Sequence, residues 1–274
     1  MRDDGRVIST GNAKPQIITL TTDFGTTDHF VGVMKGVILG ICPTAEIVDI
    51  THDITPFAIP EAAFVVSQTY PYFPAGTVHG VIVDPGVGSA RRPILVQAGE
   101  QFFVGPDNGV FTRIFVREEC TVRVITNGDL FREDISQTFH GRDIFAPVAA
   151  HLSAGVAPEE IGEQIDDYMR STVGTAPVRT GKRIWTGAIL KIDRFGNIIT
   201  NFHRDELPDL TLRSFEMQVG FHKVDQMARS YADAPTDLFA IVGSSGFVEV
   251  SCNQQSAAKL LGVGVGAPVE LVLY

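Results

Sequence analysis

An acidic loop between a strand pattern and a helix pattern constrains the fold more than any other feature of the chain. Residues 16–21 form an apolar, β-branched run that predicts a buried strand, and apolar residues recur at helical spacing over residues 30–41. Asp23 and Asp28 lie between these two elements. Ligands of open α/β sheets bind where strands end and helices begin, so the two carboxylates predict a binding site. Acidic side chains repel phosphate and suit hydroxyl groups or a cationic ligand.

Strand and helix patterns alternate through the first part of the chain, which predicts a mainly parallel sheet with helices on both faces. Pro147 predicts that the last helix becomes regular about one turn after Arg142. The other predicted strands are 47–51, 78–83, 94–97 and 101–104, and the predicted helices are 60–70, 110–117 and 142–152.

The second part of the chain has a different pattern. Residues 171–182 carry small residues, proline and glycine without periodicity, which predicts a linker. Short β-like runs follow and helical periodicity is nearly absent, which predicts a smaller all-β domain, either a sandwich or a barrel. We therefore expect an α/β domain over residues 15–175 and an all-β domain over residues 183–274.

The composition excludes several partners. The 274 residues carry a formal net charge of −10 and no basic cluster, so nucleic acid is not expected as a partner. Three widely spaced cysteines and the lack of an apolar leader in residues 1–14 predict a soluble, cytoplasmic protein. The longest apolar stretch, residues 30–42, contains Lys35 and is too short to span a bilayer.

Two further stretches carry candidate chemistry. In the loop DPGVGSAR, glycines allow Arg91 to return toward Asp84, either as a loop-stabilising ion pair or as a pair that orients a water. His140 precedes a glycine at a predicted helix start, either as a structural histidine or as a group that exchanges protons near neutral pH. The histidines show no metal-ligand spacing, and neither a metal nor a cofactor is expected.

The predicted β domain holds DRFGNIITN, which is either a hairpin turn or a loop whose Asn197 amide reads an adenine edge. Phe57, after a proline, either belongs to the core or stacks on a ligand ring. Asp23, Asp84 and His140 each follow a strand pattern or open a helix pattern, so we expect them to converge at one edge of the sheet.

Six motifs follow one another along the chain: TDFGTTDHFVG, DITHDI, VDPGVGSARR, GPDNG, TFHGRDIFAP and DRFGNIITN. As a set they resemble the S-adenosyl-L-methionine hydrolases, or hydroxide adenosyltransferases, which are related to the fluorinating and chlorinating adenosyltransferases. The likeness covers about residues 16–274. It implies an N-terminal α/β domain, a C-terminal β-barrel domain and a homotrimer with sites at subunit interfaces.

The resemblance also implies roles for single residues. Asp23 matches the carboxylate that holds the ribose hydroxyls, and Phe57 matches an aromatic residue of the ribose pocket. Asp28 and Asp193 match partners of the methionine ammonium, and Asn197 matches the asparagine that reads adenine. The hydrolase branch is marked by an Asp-Arg-His trio, matched here by Asp84, Arg91 and His140.

The implied reaction is in-line attack of water or hydroxide on the ribose 5′ carbon of S-adenosyl-L-methionine, which gives adenosine and L-methionine. Two alternatives stay open: halide transfer to the same carbon, and a non-catalytic binder of adenosine or S-adenosyl-L-methionine. Gly141 stands where the halogenating branch has a halide-holding serine, which argues against halide transfer. Ser245 stands where a halogenating relative has an arginine, so that arginine's contact to the methionine carboxylate is missing.

Overall fold

The computed structural model describes residues 16–171, 176–207, 210, 212–234 and 237–274. Contacts divide the chain into two compact units. The first comprises the described part of Met1–Pro56 with Thr69–Asp107 and Glu118–Tyr168, and the second comprises Phe57–Gln68, Asn108–Arg117 and the described part of Met169–Tyr274.

A seven-stranded sheet forms the centre of the first unit. Its strands are β1 (Ile17–Thr22), β2 (Glu46–Thr51), β3 (Val78–Ile82), β4 (Pro93–Ala98), β5 (Gln101–Pro106), β6 (Cys120–Val124) and β7 (Gln164–Ile165). The α-helices of the described residues are α1 (Phe30–Ile41), α2 (Ile59–Thr69), α3 (Thr112–Arg117), α4 (Ala146–Ser153) and α5 (Ala257–Leu261).

The strand order is β2-β1-β3-β5-β4-β6-β7. Pairing is parallel from β2 to β5 and antiparallel from β5 to β7. The expected parallel sheet is therefore present in four neighbouring strands, β2, β1, β3 and β5. The change of direction comes from the β4–β5 hairpin, because a two-residue turn can join only antiparallel strands.

The two faces of this sheet are covered differently. Ile18 and Leu20 of β1 pack in one buried cluster with Met34 and Ile38 of α1 and with residues of α4. On alternate positions, Thr19 bonds the buried imidazole of His79, whose ring stacks on Phe103 at 4.8 Å between centroids. This alternation follows from the two-residue repeat of a strand.

Helices α2 and α3 group with the second unit although they precede it in sequence. Phe64 of α2 lies in a buried cluster with Leu190 and Phe247. Lys191 donates to the Glu61 carboxylate at 2.6 Å, so an ion pair also joins α2 to the β unit. The sequence indicated a single change of pattern near residue 171 and gave no sign of these two excursions.

The second unit is built on a nine-stranded sheet. Its strands are β8 (Val178–Arg179), β9 (Ile184–Ile192), β10 (Ile198–His203), β11 (Phe215–Val219), β12 (His222–Val224), β13 (Met227–Ala228), β14 (Leu238–Val242), β15 (Phe247–Cys252) and β16 (Pro268–Leu273). The main path is β12-β11-β16-β9-β10-β15-β14-β13, and every pair is antiparallel except β13–β14.

One apolar cluster extends across most of the sheet of this unit. It joins Met217 near one end of the sheet with Ala240 near the other, so the sheet curls around a shared core. The predicted fold class, an α/β unit followed by an all-β unit, is confirmed. Within the described residues, no helix combines the length and the apolar character that crossing a bilayer requires.

Candidate functional site

The acidic loop lies where the sequence predicted it, between the end of β1 and the start of α1. Asp23 is half-buried and Asp28 is exposed. Gly25 adopts φ +66° and donates its backbone N–H to the His52 carbonyl at 2.8 Å, which closes the loop against the end of β2. A left-handed backbone favours glycine at this position.

The loop after β3 brings Arg91 back to Asp84. Backbone bonds from Val87 to Asp84 and from Ser89 to Gly86 fold it into successive turns. Gly88, at φ +75°, is required there, because a Cβ would lie 2.3 Å from the Gln137 carbonyl oxygen.

Arg91 is the centre of the predicted trio. Its Nε lies 2.9 Å from each Asp84 carboxylate oxygen, and its Nη2 donates to the same carboxylate. Nη2 also lies 3.0 Å from His140 Nδ1. The side chains of Arg91 and Asp84 are 9% and 5% exposed, so the ion pair is shielded from solvent.

One polar atom of the trio has no partner. Arg91 Nη1 is buried and makes no hydrogen bond to any described residue. The guanidinium also lies 5.1 Å from the centroid of the Phe145 ring. A buried guanidinium N–H without an acceptor is costly, so this corner of the site suits an oxygen atom that the described residues do not supply.

The Arg91 contact fixes the protonation of His140. Arginine has no acceptor, so Nδ1 of His140 must accept, and the neutral ring carries its proton on Nε2. Burial lowers the pKa of His140, and the Arg91 charge lowers it further against the opposing carboxylates Asp84 and Asp143. His140 is therefore a neutral N–H donor at neutral pH.

A π-helical turn, Gly141–Phe145, holds His140 at the start of α4. Pro147 marks the first turn of the regular helix, so the predicted delay after Arg142 is confirmed. The Asp143 carboxylate is fully buried and anchors the turn, since it accepts from the Arg142 side chain and from the backbone N–H of Ser136.

Aromatic contacts join the acidic loop to the trio. Phe24, which follows Asp23, lies 5.9 Å from both Phe30 and Phe139, and Phe139 precedes His140. Phe30 and Phe139 meet edge to face at 5.2 Å. Strands β1 and β3 are parallel neighbours, so their end loops meet at one edge of the sheet. Asp23, Asp84 and His140 therefore belong to one region of the first unit.

The second unit carries its own polar cluster, at the turn from β9 to β10. Asp193 Oδ1 accepts from the backbone N–H groups of Phe195 and Asn197 at 2.9 and 2.8 Å. The Asn197 amide donates to Asp193 Oδ2 at 2.9 Å. The stretch is a tight turn, as one interpretation of the sequence held, and Asp193 and Asn197 form one bonded pair within it.

This turn forms one wall of a cavity of about 740 Å³. Besides the predicted Asp193 and Asn197, two residues that the sequence analysis missed line it: Tyr231 and Glu249. Both lie outside any recognisable motif. Glu249 lies between the buried Val248 and Val250 of β15, and one charged residue within an apolar strand is too weak a signal to identify a site. Among the described residues, the cavity lining contains no lysine or arginine.

Phe57 stands apart from the core. Its backbone has φ +67°, unusual for a non-glycine residue, and its side chain is 70% exposed. The interpretation of Phe57 as a core residue is therefore wrong. Strained backbone at an exposed aromatic residue is a feature of ligand-contact positions, so the interpretation as a ring-stacking residue stays a hypothesis.

Comparison with known proteins assigns the family. The model of the SAM hydroxide adenosyltransferase N-terminal domain matches residues 18–162, and the model of the C-terminal domain matches residues 187–270. The chain belongs to the SAM hydroxide adenosyltransferase family. Both matched regions lie inside the domains expected from the sequence, but the exact domain boundaries stay a prediction.

Several named proteins are similar to this chain over most of their length. A protein of Methanocaldococcus jannaschii named (R)-S-adenosyl-L-methionine hydrolase is 37% identical over 93% of this chain and 95% of its own. A protein of the same name from Salinispora arenicola is 38% identical over 91% and 95%. A protein of Actinoplanes sp. named fluorinase is 30% identical over 72% and 74%.

A solved structure supports the same assignment. The crystal structure of an uncharacterized conserved protein from Thermotoga maritima covers 93% of this chain and 99% of its own, with 37% identity and a TM-score of 0.85. The two-unit fold is therefore shared with an experimental structure.

Proposed function

We propose that the chain hydrolyses S-adenosyl-L-methionine to adenosine and L-methionine through attack of water or hydroxide on the ribose 5′ carbon. The observation that carries the proposal is the buried, unpartnered Nη1 of Arg91 within the Asp84–Arg91–His140 trio. Membership of the family and relatives named (R)-S-adenosyl-L-methionine hydrolase support it. The names of these relatives specify the (R) form, so we propose the (R) epimer at sulfur as the substrate.

The substrate is activated by its own charge. The sulfonium leaves as a neutral thioether, so the protein has no leaving anion to stabilise. The harder requirement is to hold one oxygen nucleophile in line with the 5′ carbon, and such alignment is worth up to ~7–11 kcal/mol. Arg91 Nη1 offers an N–H donor for that oxygen, and Asp84 fixes the direction of the guanidinium through three contacts.

His140 fits the role of a second donor. Its Nε2–H can bond the same oxygen, and its neutral state adds no positive charge to repel the sulfonium. A neutral His140 accepts a proton only at Nδ1, and only after Arg91 Nη2 releases it. Direct attack by hydroxide, held by two N–H donors, therefore agrees better with this geometry than proton removal by His140.

The remaining site residues belong to the same proposal. Asp23 and Phe57 would hold the ribose, Asp28 and Asp193 the ammonium group, and Asn197 the adenine. Phe24 and Phe139, which are the sequence neighbours of Asp23 and His140, lie 5.9 Å apart, and this contact supports a shared ligand. The homotrimer, with sites at subunit interfaces, and the cytoplasmic location rest on the resemblance and the composition alone.

Halide transfer is the competing reaction, since fluorinases are among the relatives. The surroundings of Gly141 argue against it. A Cβ at Gly141 would lie 3.2 Å from both the Met34 sulfur and the Phe139 ring, so a halide-holding serine does not fit without a shift. Incubation with S-adenosyl-L-methionine in chloride or fluoride, followed by a search for 5′-halonucleoside, separates the two reactions.

The test of the proposal is turnover in ¹⁸O-labelled water. The (R) and (S) epimers at sulfur are supplied separately, and both products are weighed by mass spectrometry. We expect label in adenosine, none in L-methionine, and faster turnover of the (R) epimer. Label in methionine would place the attack elsewhere, and product formation limited to one equivalent or less would identify a non-catalytic binder.

A further inference from the structure

The cavity of the second unit contains a carboxylate that the family motifs do not assign. Glu249 lies on β15, and its Oε2 accepts from the Tyr231 hydroxyl at 3.1 Å. The same hydroxyl receives a longer bond, 3.4 Å, from the Asn197 amide. Glu249, Tyr231 and Asn197 thus form one hydrogen-bonded row along the cavity wall.

The bonds in this row determine what it can offer a ligand. Asn197 Nδ2 has two hydrogens, and they are directed to Asp193 Oδ2 and to the Tyr231 hydroxyl. The amide therefore has only its carbonyl oxygen left for a ligand. The Tyr231 proton is likewise directed to Glu249. The side chains of the row consequently present acceptors and no spare donor.

The second oxygen of Glu249 is free to bind. Oε1 makes no hydrogen bond to the described residues, although the carboxylate lies deep enough that burial raises the pKa of Glu249. Gly243 makes room for this oxygen, because a Cβ on Gly243 would lie 1.9 Å from it. A carboxylate oxygen of a half-buried residue that lacks a protein donor is available to a ligand that supplies one.

We propose that Glu249 determines specificity for a 6-aminopurine. It accepts a hydrogen bond at Oε1 from the exocyclic amino group, beside the Asn197 carbonyl oxygen. A 6-oxopurine places an acceptor against the same oxygens and is rejected. This inference rests on the proposed function, since it names the atoms that read the adenine of that substrate.

The experiment compares the binding of adenosine and inosine to the full-length protein by calorimetry. Wild type is expected to prefer adenosine by about tenfold or more, as for loss of one hydrogen bond to a charged group. Glu249→Gln keeps the shape, offers an N–H to the 6-oxo group, and should reduce the adenosine-to-inosine affinity ratio by roughly tenfold. Glu270→Gln, on an exposed position of β16, should leave the ratio unchanged.

A second variant reaches the same atom without changing the charge. Gly243→Ala should push the Glu249 carboxylate out of place and lower adenosine affinity, because the new methyl group meets only the far end of a flexible side chain. Glu249→Gln therefore tests the charge of the carboxylate, and Gly243→Ala tests its position. The test needs only one of the two variants to fold.

Three outcomes overturn the inference. The ratio stays unchanged in Glu249→Gln, or adenosine binding stays unchanged in Gly243→Ala, or Glu249→Gln weakens binding of L-methionine and not of adenosine. The last result would assign the carboxylate to the ammonium group. Failure of wild type to turn over S-adenosyl-L-methionine would instead contradict the proposed function, so the two failures are distinguishable.

Discussion

The polar clusters of the two units have opposite hydrogen-bonding character. In the first, a buried cation is paired with a carboxylate and keeps one N–H without an acceptor. In the second, the cavity wall carries two carboxylates, no lysine or arginine, and one carboxylate oxygen without a donor. The first arrangement suits an oxygen nucleophile, and the second suits ligand N–H groups. The contrast suggests that the reaction and the recognition of adenine depend on separate clusters, which substitutions can test independently.

The largest expected effect is on turnover. Arg91→Gln removes Nη1 and the clamp by Asp84, and it should lower kcat by roughly 10²-fold or more, the usual loss for a missing transition-state donor. Adenosine affinity should change by less than about threefold, because the loss is in transition-state stabilisation. Steady-state kinetics and calorimetry measure the two quantities.

The neighbouring arginine provides the matched control. Arg92→Gln changes a side chain that pairs with Asp107 and Asp167 and forms no hydrogen bond or ion pair with Asp84, Arg91 or His140. It should keep kcat within about twofold of wild type. A similar loss in both variants, or a large loss of adenosine affinity in Arg91→Gln, would contradict the separation of reaction from recognition.

Acid should destabilise the first unit through His79. Burial lowers the pKa of His79 from 6.5 to about 4, so the folded state resists a proton that the unfolded chain accepts. Neutral His79 contributes fully to the free energy of unfolding above pH 6.5. That contribution falls by about 3 kcal/mol as the pH falls toward 4. Urea unfolding at pH 7 and pH 4 measures it, and NMR should show the His79 ring neutral at pH 5.

A variant isolates that contribution. Between pH 7 and pH 4, the free energy of unfolding of His79→Asn should fall by about 3 kcal/mol less than that of wild type. His222→Asn, at an exposed position of β12, should reproduce the wild-type loss. Equal losses in all three proteins would show that His79 does not set the acid response.

A smaller effect is expected at Gly141. Gly141→Ser places a Cβ 3.2 Å from the Met34 sulfur and the Phe139 ring. It should lower the free energy of unfolding by about 1 kcal/mol and the Tm by roughly 2–4 °C. It should produce no 5′-halonucleoside, because the added hydroxyl enters a packed corner. Calorimetry and product analysis in chloride measure both results, and halide transfer by the variant would show that glycine alone separates the two chemistries.

The smallest expected effect has the opposite sign. Glu249→Gln removes a desolvated charge while its amide oxygen still accepts from Tyr231, so the ligand-free protein should gain stability at neutral pH. We expect a rise in Tm of about 2 °C at pH 7 that disappears as the pH falls toward the raised pKa of Glu249. A lower Tm at pH 7 would indicate that the carboxylate stabilises the fold.

Local patterns predicted most of the first unit. Helix α1 has its predicted bounds, and β1 and β3 agree within a residue or two, because a regular apolar period directly reports a buried face. The Asp84–Arg91 pair could also be predicted, since only six residues, two of them glycines, separate the two side chains along the chain. The strands β6 and β7 were missed because short, partly charged runs carry little period.

Features that depend on contacts between residues far apart in the sequence could not be predicted from it. Tyr231 and Glu249 meet only after the sheet of the second unit has formed, and no spacing along the chain relates them. The grouping of α2 and α3 with that unit likewise depends on Phe64 finding Leu190 and Phe247. For Phe57, the neighbouring proline indicated a turn but gave no measure of exposure.

The π-helical turn at Gly141–Phe145 sets the angular phase between His140 and the buried face of α4. Each α-helical residue advances about 100° around the axis. Deleting one residue of this turn would allow ordinary helical winding and leave α4 packed as before. The imidazole would then point about a quarter turn away from Arg91. A one-residue insertion relative to regular helix thus decides whether the first unit carries a trio or only an ion pair.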